Sequence, residues 1–308
     1  MSVSVDMSVT IGGLSLRAPV LTASGTFGSG REFSELIDLT RLGAIVTKGV
    51  SLEPWEGNPA PRIAETASGM LNSIGLQNAG VESFCVNELA WLETTVPEVP
   101  VIVNVSGHAA DEYAAVIDRL EWEPFVSGYE VNISCPNVDE GGMAFGTSCA
   151  SAAEVTRACR EMTERPLIVK LSPNVTDIAE IARSVEAAGA DAVSLINTLL
   201  GMAIDVDTFR PKLARGVGGL SGPAIKPVAV RMVWQVAQAV DIPVIGMGGI
   251  MTAEDAVEFI LAGANAVAVG TANFVDPTTT IRIIDGIAEF CRARGIDSVG
   301  DLVGAVRT

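Results

Sequence analysis

Two hydrophobic patterns alternate along the 308-residue chain. Short Val/Ile/Leu-rich runs, mostly opened by Pro, Gly or Ala, occur at 19–22, 44–47, 101–105, 129–134, 167–171, 192–196, 244–247 and 266–269. Apolar residues at consecutive positions suit strands covered on both faces, as in a parallel sheet. Between them, segments such as 110–120, 152–163, 178–188, 224–240 and 253–261 carry apolar residues at helical spacing. Thr252 followed by Glu254 and Asp255 predicts a helix start, because a hydroxyl caps free amides and carboxylates favour the first turn. Thr176 and Asp177 ahead of Ile178 read the same way. Strand and helix alternating eight times predict an α/β fold closed into a (β/α)8, or TIM, barrel. A doubly wound open sheet is the competing arrangement, but it usually has fewer strands.

The segment 9–16 alternates about Gly12-Gly13 and reads as a β-hairpin ahead of the first barrel strand, placed to plug the barrel floor. The whole chain, 1–308, then reads as one barrel domain with 1–17 as an N-terminal hairpin extension, whereas length alone suggests two domains. Two connections, 49–82 and 198–223, are long and belong at the C-terminal mouth, where barrel active sites lie.

The strand ends carry Ser24, Lys48, Gly49, Asn104, Asn132, Cys135, Lys170, Asn197, Thr198, Gly248, Gly249, Gly270 and Thr271. One strand-end asparagine can simply cap a turn. Such residues at all eight ends describe a ligand site. Glycines after the seventh and eighth strands suit a phosphate cradle, hence a phosphorylated cofactor or substrate; tight turns alone would also use them. No strict G-x-G-x-x-G is present, since Ser221 stands where the third glycine would follow Gly216 and Gly218. Cys135 precedes the glycine-containing stretch 139–146, so it reads as a thiol at the base of a lid, a general base or a nucleophile. Cys85, Cys159 and Cys291 read as inert core thiols, and Cys149 is left open.

Composition narrows the chemistry. The formal charge is −17, which argues against nucleic acid and anionic membrane as partners. With 48% hydrophobic residues, a large core is expected rather than disorder. His108 is the sole histidine, so a multi-histidine metal centre is excluded, and it reads as a loop or dimer-contact residue. Five cysteines without a C-x-x-C give neither a disulfide framework nor a zinc or iron–sulfur pattern, and fit a reducing cytoplasm. The first ten residues lack the basic and apolar regions of a signal peptide. The longest uncharged run, 259–275, falls short of the ~20 residues of a span, so a soluble cytoplasmic protein is expected.

Several ordered motifs resemble the class 1 FMN-containing dihydroorotate dehydrogenases over nearly the whole chain. They are Ala23-Ser24-Gly25, Thr47-Lys48-Gly49, Gly57-Asn58-Pro59-Ala60-Pro61-Arg62, Asn72-Ser73-Ile74-Gly75-Leu76-Gln77-Asn78, Asn132-Ile133-Ser134-Cys135-Pro136-Asn137, Lys170-Leu171-Ser172-Pro173-Asn174, Gly219-Leu220-Ser221-Gly222 and Gly246-Met247-Gly248-Gly249-Ile250. The resemblance implies that FMN is held by Ala23, Ser24, Lys48, Gly49, Asn104, Asn132, Lys170, Ile196, Gly222, Gly248, Gly249, Gly270 and Thr271. It implies that dihydroorotate is held by Lys48, Asn72, Ser73, Ile74, Gly75, Leu76, Asn132, Asn197 and Thr198, with Cys135 as the catalytic base in the pyrimidine-forming oxidation to orotate. The quinone-linked class 2 enzymes carry serine at the base and a membrane-associating N-terminal segment; this chain has neither.

Ile74-Gly75-Leu76-Gln77-Asn78 resembles the NAD+-linked 1B type, whereas the fumarate-linked 1A type tends to have Met and Pro at positions 74 and 77. The 1B resemblance implies a homodimer core flanked, in a heterotetramer, by partner subunits carrying FAD and a 2Fe-2S cluster. A 1A enzyme, or another FMN barrel such as a tRNA-dihydrouridine synthase, remains the alternative; the latter needs a basic RNA face that a charge of −17 makes hard to assemble.

Overall fold

The computed structural model describes residues 5–134 and 145–307; Cys135 and the stretch expected to form a lid, as far as 144, lie outside them. Eight parallel strands form the centre: β1 (Val20–Thr22), β2 (Ile45–Val46), β3 (Val101–Val105), β4 (Val126–Asn132), β5 (Leu167–Lys170), β6 (Ala192–Leu195), β7 (Val244–Met247) and β8 (Ala266–Val269). They are hydrogen-bonded in the order β1-β8-β7-β6-β5-β4-β3-β2. A bridge from Leu21 to Ala44, with the Gly43 amide donating to the Val20 carbonyl, joins β1 to β2 and closes the ring. This is the (β/α)8 barrel that the alternating pattern predicts, and every predicted run overlaps a strand.

Helices follow the strands, and their starts obey their caps. Thr252 and Asp255 make a reciprocal capping box at Ala253–Leu261. Asp177, rather than Thr176, caps Ile178–Ala187 by accepting from the amides of Ala179 and Glu180. The helix expected at 152–163 begins earlier, at Cys149–Arg160, because Ser148 accepts from the Ser151 amide.

Side chains alternate along each strand, which divides the core in two. Val101, Val103, Val105, Tyr129, Val131, Val169, Val193 and Leu195 pack against the helices. Leu21, Ala44, Val46, Ile102, Ile168, Ala192, Ile245, Ala266 and Ala268 form a separate inner cluster. Ile11 and Leu16 belong to that inner cluster. They come from the predicted hairpin, Val9–Ile11 paired with Leu14–Leu16, which therefore plugs the floor. Its turn lies tight against the start of β6: Gly12 has φ +55, and a Cβ there would sit 2.9 Å from that of Asp191.

The two long connections meet at the opposite end. Ile63–Thr66 and Gly69–Asn72 from the first pair with Leu199–Met202 and Val217–Ser221 from the second in one four-stranded antiparallel sheet. Asn72 faces Gly219 and Leu71 faces Leu220 across the join. A Cβ on Gly219 would lie 2.0 Å from the Thr198 hydroxyl oxygen, so glycine is required there. Among the described residues no helix is long and apolar enough to cross a membrane.

Ile11 is fully buried. Ile11→Ala is expected to cost about 2–5 kcal/mol of unfolding free energy by leaving a cavity in the floor. An unchanged denaturant midpoint would show that the hairpin is not part of the core.

Candidate active site

Above the apolar floor, the inward-facing positions turn polar. In register, Asn104 lies beside Glu130, Asn132 beside Lys170, and Lys170 beside Ser194. Glu130 and Lys170 are both almost completely buried, with side chains 2% and 5% exposed. Charges in such a place persist only when paired and hydrogen-bonded. Glu130 Oε2 accepts from Asn104 Nδ2 at 2.5 Å and from Lys170 Nζ at 3.4 Å, and Oε1 accepts from Ser194 Oγ at 2.8 Å. Lys170 Nζ also donates to Ser24 Oγ at 3.0 Å. Glu130 and Ser194 were not among the residues expected at the site. The signal was a charged residue inside an otherwise apolar run, at a position that alternation turns toward the barrel axis.

This layer is the bottom of a cavity of about 460 Å³ between the strand ends and the mouth sheet, a size suited to a small organic ligand. Of the expected residues, Ala23, Ser24, Lys48, Gly49, Asn72, Ile74, Gly75, Leu76, Asn104, Asn132, Lys170, Ile196, Asn197, Thr198, Gly222, Gly248, Gly249, Gly270 and Thr271 all line it. Ser73 does not: it is buried behind the loop, its hydroxyl accepting from Asn58 Nδ2 at 3.0 Å and its amide donating to the Arg62 carbonyl at 2.8 Å. Cys135 lies outside the described residues. The described residues that flank it are anchored, since Ser134 Oγ donates to Asn132 Oδ1 and accepts from Asn197 Nδ2, each at 2.6 Å. The Gly146 amide donates to the Ile133 carbonyl at 2.9 Å.

Three asparagine amides are oriented by these bonds. Asn132 turns its carbonyl back to Ser134, leaving its NH2 for a ligand oxygen. Asn72 Nδ2 donates to the Gly219 carbonyl at 3.3 Å, which leaves Oδ1 to accept from a ligand N–H. Asn197 Oδ1 accepts from the Thr198 amide at 2.8 Å.

On the far side, β7 and β8 end in glycines. Gly248 and Gly249 have φ +120 and +83, and a Cβ on Gly249 would lie 2.8 Å from that of Lys226 and 2.9 Å from the Gly222 carbonyl oxygen. Among the described residues, the amides of Gly249, Ile250, Gly270 and Thr271 donate to no protein acceptor. Unsatisfied amides clustered at two βα turns suit an anion such as a phosphate. Apolar side chains outside the expected site residues, including Met70, Leu200, Ile225 and Met247, complete the wall.

The lining includes Lys48, Lys170 and Arg215 and, among the described residues, no carboxylate. A chain of charge −17 thus places three basic side chains around its mouth. Arg215, on the long second connection, was likewise missed. Away from the cavity, burial pushes the Cys85 thiol up to about 11 and the Cys159 thiol up to about 12, and it raises Cys291 too, as expected of core thiols. His108 packs against Trp55 with ring centroids 4.1 Å apart and planes tilted by 34°, and does not line the cavity.

Comparisons with known proteins place the chain beside one family. The family model for dihydroorotate dehydrogenase matches residues 6–291. The chain is 58% identical to the "Dihydroorotate dehydrogenase B (NAD(+)), catalytic subunit" of Trichlorobacter lovleyi, across 97% of this chain and 98% of that one. It is 57% identical to the protein of the same description from Geotalea uraniireducens, across 98% and 99%. A crystal structure of DHODH from Eimeria tenella in complex with ferulenol superposes with a TM-score of 0.80 at 24% identity, covering 97% of this chain and 88% of that one, a likeness of fold.

The glycine cradle is braced by Lys226, whose ammonium donates to Asp255 at 2.6 Å and Glu258 at 2.9 Å. Burial raises the Asp255 carboxyl, but the hydrogen bonds from Lys226 and the Met251 and Thr252 amides outweigh it and hold the group below its ordinary 3.8. A depressed folded-state value means stability that is complete above the unfolded value and lost as pH falls through the folded one. Asp255→Asn is therefore expected to cost about 1 kcal/mol at pH 7. Denaturant unfolding should show the gap closing below about pH 4; a gap independent of pH would contradict the ionised clamp.

Proposed function

The chain belongs to the dihydroorotate dehydrogenase family of oxidoreductases, and from that premise we propose that its cavity oxidises (S)-dihydroorotate to orotate, in pyrimidine synthesis, with bound FMN and NAD+ as the final acceptor. One observation carries the flavin reading: Asn104 lines the cavity, and its Oδ1 is buried without a hydrogen-bond partner. A buried acceptor of this kind is costly unless a ligand N–H meets it, and a flavin ring carries one. The glycine amides suit the phosphate of the same molecule. The residues present thus fit FMN, with Ala23, Ser24, Lys48, Gly49, Asn104, Asn132, Lys170, Ile196, Gly222, Gly248, Gly249, Gly270 and Thr271 holding it.

Bound FMN supplies the acceptor for the electron pair leaving the substrate as hydride. The chain's own residues do the rest. Oxidation of the substrate's CH–CH bond also releases a proton from the neighbouring carbon, and we assign its removal to Cys135 acting as a thiolate base. Cys135 follows Ser134 directly, and Ser134 is bonded to the cavity residues Asn132 and Asn197. Asn72, Asn132, Asn197 and Thr198, with Ile74, Gly75 and Leu76, orient a ring bearing N–H, carbonyl and carboxylate groups; Ser73 holds that loop from behind. Lys48 offsets the carboxylate charge.

The high-identity relatives are named NAD(+) enzymes and catalytic subunits, which favours a separate electron-transfer subunit over fumarate. We assign FAD and a 2Fe-2S cluster to that partner, arranged about a homodimer of this chain in a heterotetramer. The chain, 1–308, then acts as one FMN-binding unit with 1–17 as its floor extension. The four described cysteines are free thiols, which suits the cytoplasm.

The purified chain is expected to be yellow and to bleach with dihydroorotate. Cys135→Ala should stay yellow and lose dihydroorotate oxidation by about a hundredfold or more; full activity in that variant would sink the base assignment. Rapid fumarate turnover by the chain alone would reverse the choice of acceptor.

A further inference from the structure

We infer that Glu130 is a positioning residue, its buried carboxylate fixing both the orientation of Asn104 and the effective charge of Lys170 that the cavity presents to a bound flavin. This rests on the flavin reading above.

An ionised carboxylate can only accept hydrogen bonds. Asn104 must therefore turn its NH2 toward Glu130 Oε2, at 2.5 Å, and its carbonyl the other way. Oδ1 is the end left buried and unpartnered. An asparagine without such a neighbour could present either end. Lys170 is constrained in the same manner. Of its three N–H donors, one is directed at Glu130 Oε2 and one at Ser24 Oγ, so the remainder is aimed rather than free to swing. Ser194 Oγ holds the second carboxylate oxygen at 2.8 Å and completes the clamp.

Packing alone does not account for the residue. The inner positions below it are Ile168 and Ala192, and an apolar side chain would continue that cluster without the cost of desolvating a charge. Charge gives the second consequence. Glu130 offsets part of the Lys170 charge in a site sheltered from water, where such interactions are strong. Reduction adds negative charge to a bound flavin, so a less compensated Lys170 would favour the reduced form. Glu130 thereby holds the flavin potential down.

The test is Glu130→Gln, which nearly conserves volume, in the flavin-loaded chain. Two quantities are measured: FMN affinity by flavin fluorescence, and the midpoint potential by spectroelectrochemical titration. We expect affinity to fall about tenfold and the potential to move positive. In a Lys170→Gln background the same change should move the potential far less. A folded Glu130→Gln chain with unaltered affinity and potential would overturn the inference. If that variant does not fold, Ser194→Ala replaces it: it keeps the charge but releases Oε1, so affinity should weaken severalfold with little change in potential. Unchanged affinity there would also overturn it. A wild-type chain that binds no flavin would instead overturn the reading of the cavity.

Discussion

The buried pair of Glu130 and Lys170 sets the terms for everything above it. Opposite charges inside a closed ring of strands persist only when their remaining hydrogen-bonding capacity is met. Ser24, Asn104 and Ser194 meet all but one Lys170 N–H of it, each from a different strand or strand end. The pair thus ties the ends of β1, β3, β4, β5 and β6 to one another through side chains as well as through the backbone ladder. Below this layer the interior is apolar and sealed by Ile11 and Leu16. Above it begins the cavity, so the charged layer is both the top of the core and the base of the site.

A second consequence follows from strand direction. Parallel strands place all their C-terminal ends on one side, so residues far apart in sequence converge without any long-range signal beyond alternation. The mouth sheet adds what strand ends cannot supply. Its two hairpins come from the connections after β2 and β6, and only their pairing brings Asn72 beside Gly219. The space for that pairing exists because Gly218 and Gly219 carry no side chains. A Cβ on Gly218 would lie 2.6 Å from the Asn72 carbonyl oxygen.

Most of the barrel was legible in the sequence because strand and helix have different periods, and the chain keeps them in strict alternation. The strand-end glycines and asparagines were legible for the same reason, since a closed barrel offers one mouth. What stayed hidden depended on partners remote in sequence. Ser73 shares a motif with Asn72 and Ile74, yet Asn58 and Arg62 hold it away from the cavity. Glu130 looks like an ordinary charge in a strand until alternation turns it inward, where register sets it beside Asn104 and β6 brings Ser194. Arg215 lies in a connection whose path follows from the mouth sheet, and no local period announces it. The tight start of Cys149–Arg160 was missed by three residues because Ser148 acts as a cap only once its backbone is extended.

The acidity of the chain and the basicity of its cavity are compatible because field strength depends on placement more than on totals. Acidic side chains on the exterior sit against water, where their influence is screened within about 10 Å at ordinary salt. Lys48, Lys170 and Arg215 stand around a recess with low-dielectric walls, where the same unit charge acts more strongly on an anion. A recess lined by basic side chains therefore does not require a basic protein. It also accounts for the place of Glu130, which among the described residues lies behind Lys170 rather than in the wall: there it can temper and aim the ammonium without repelling what enters.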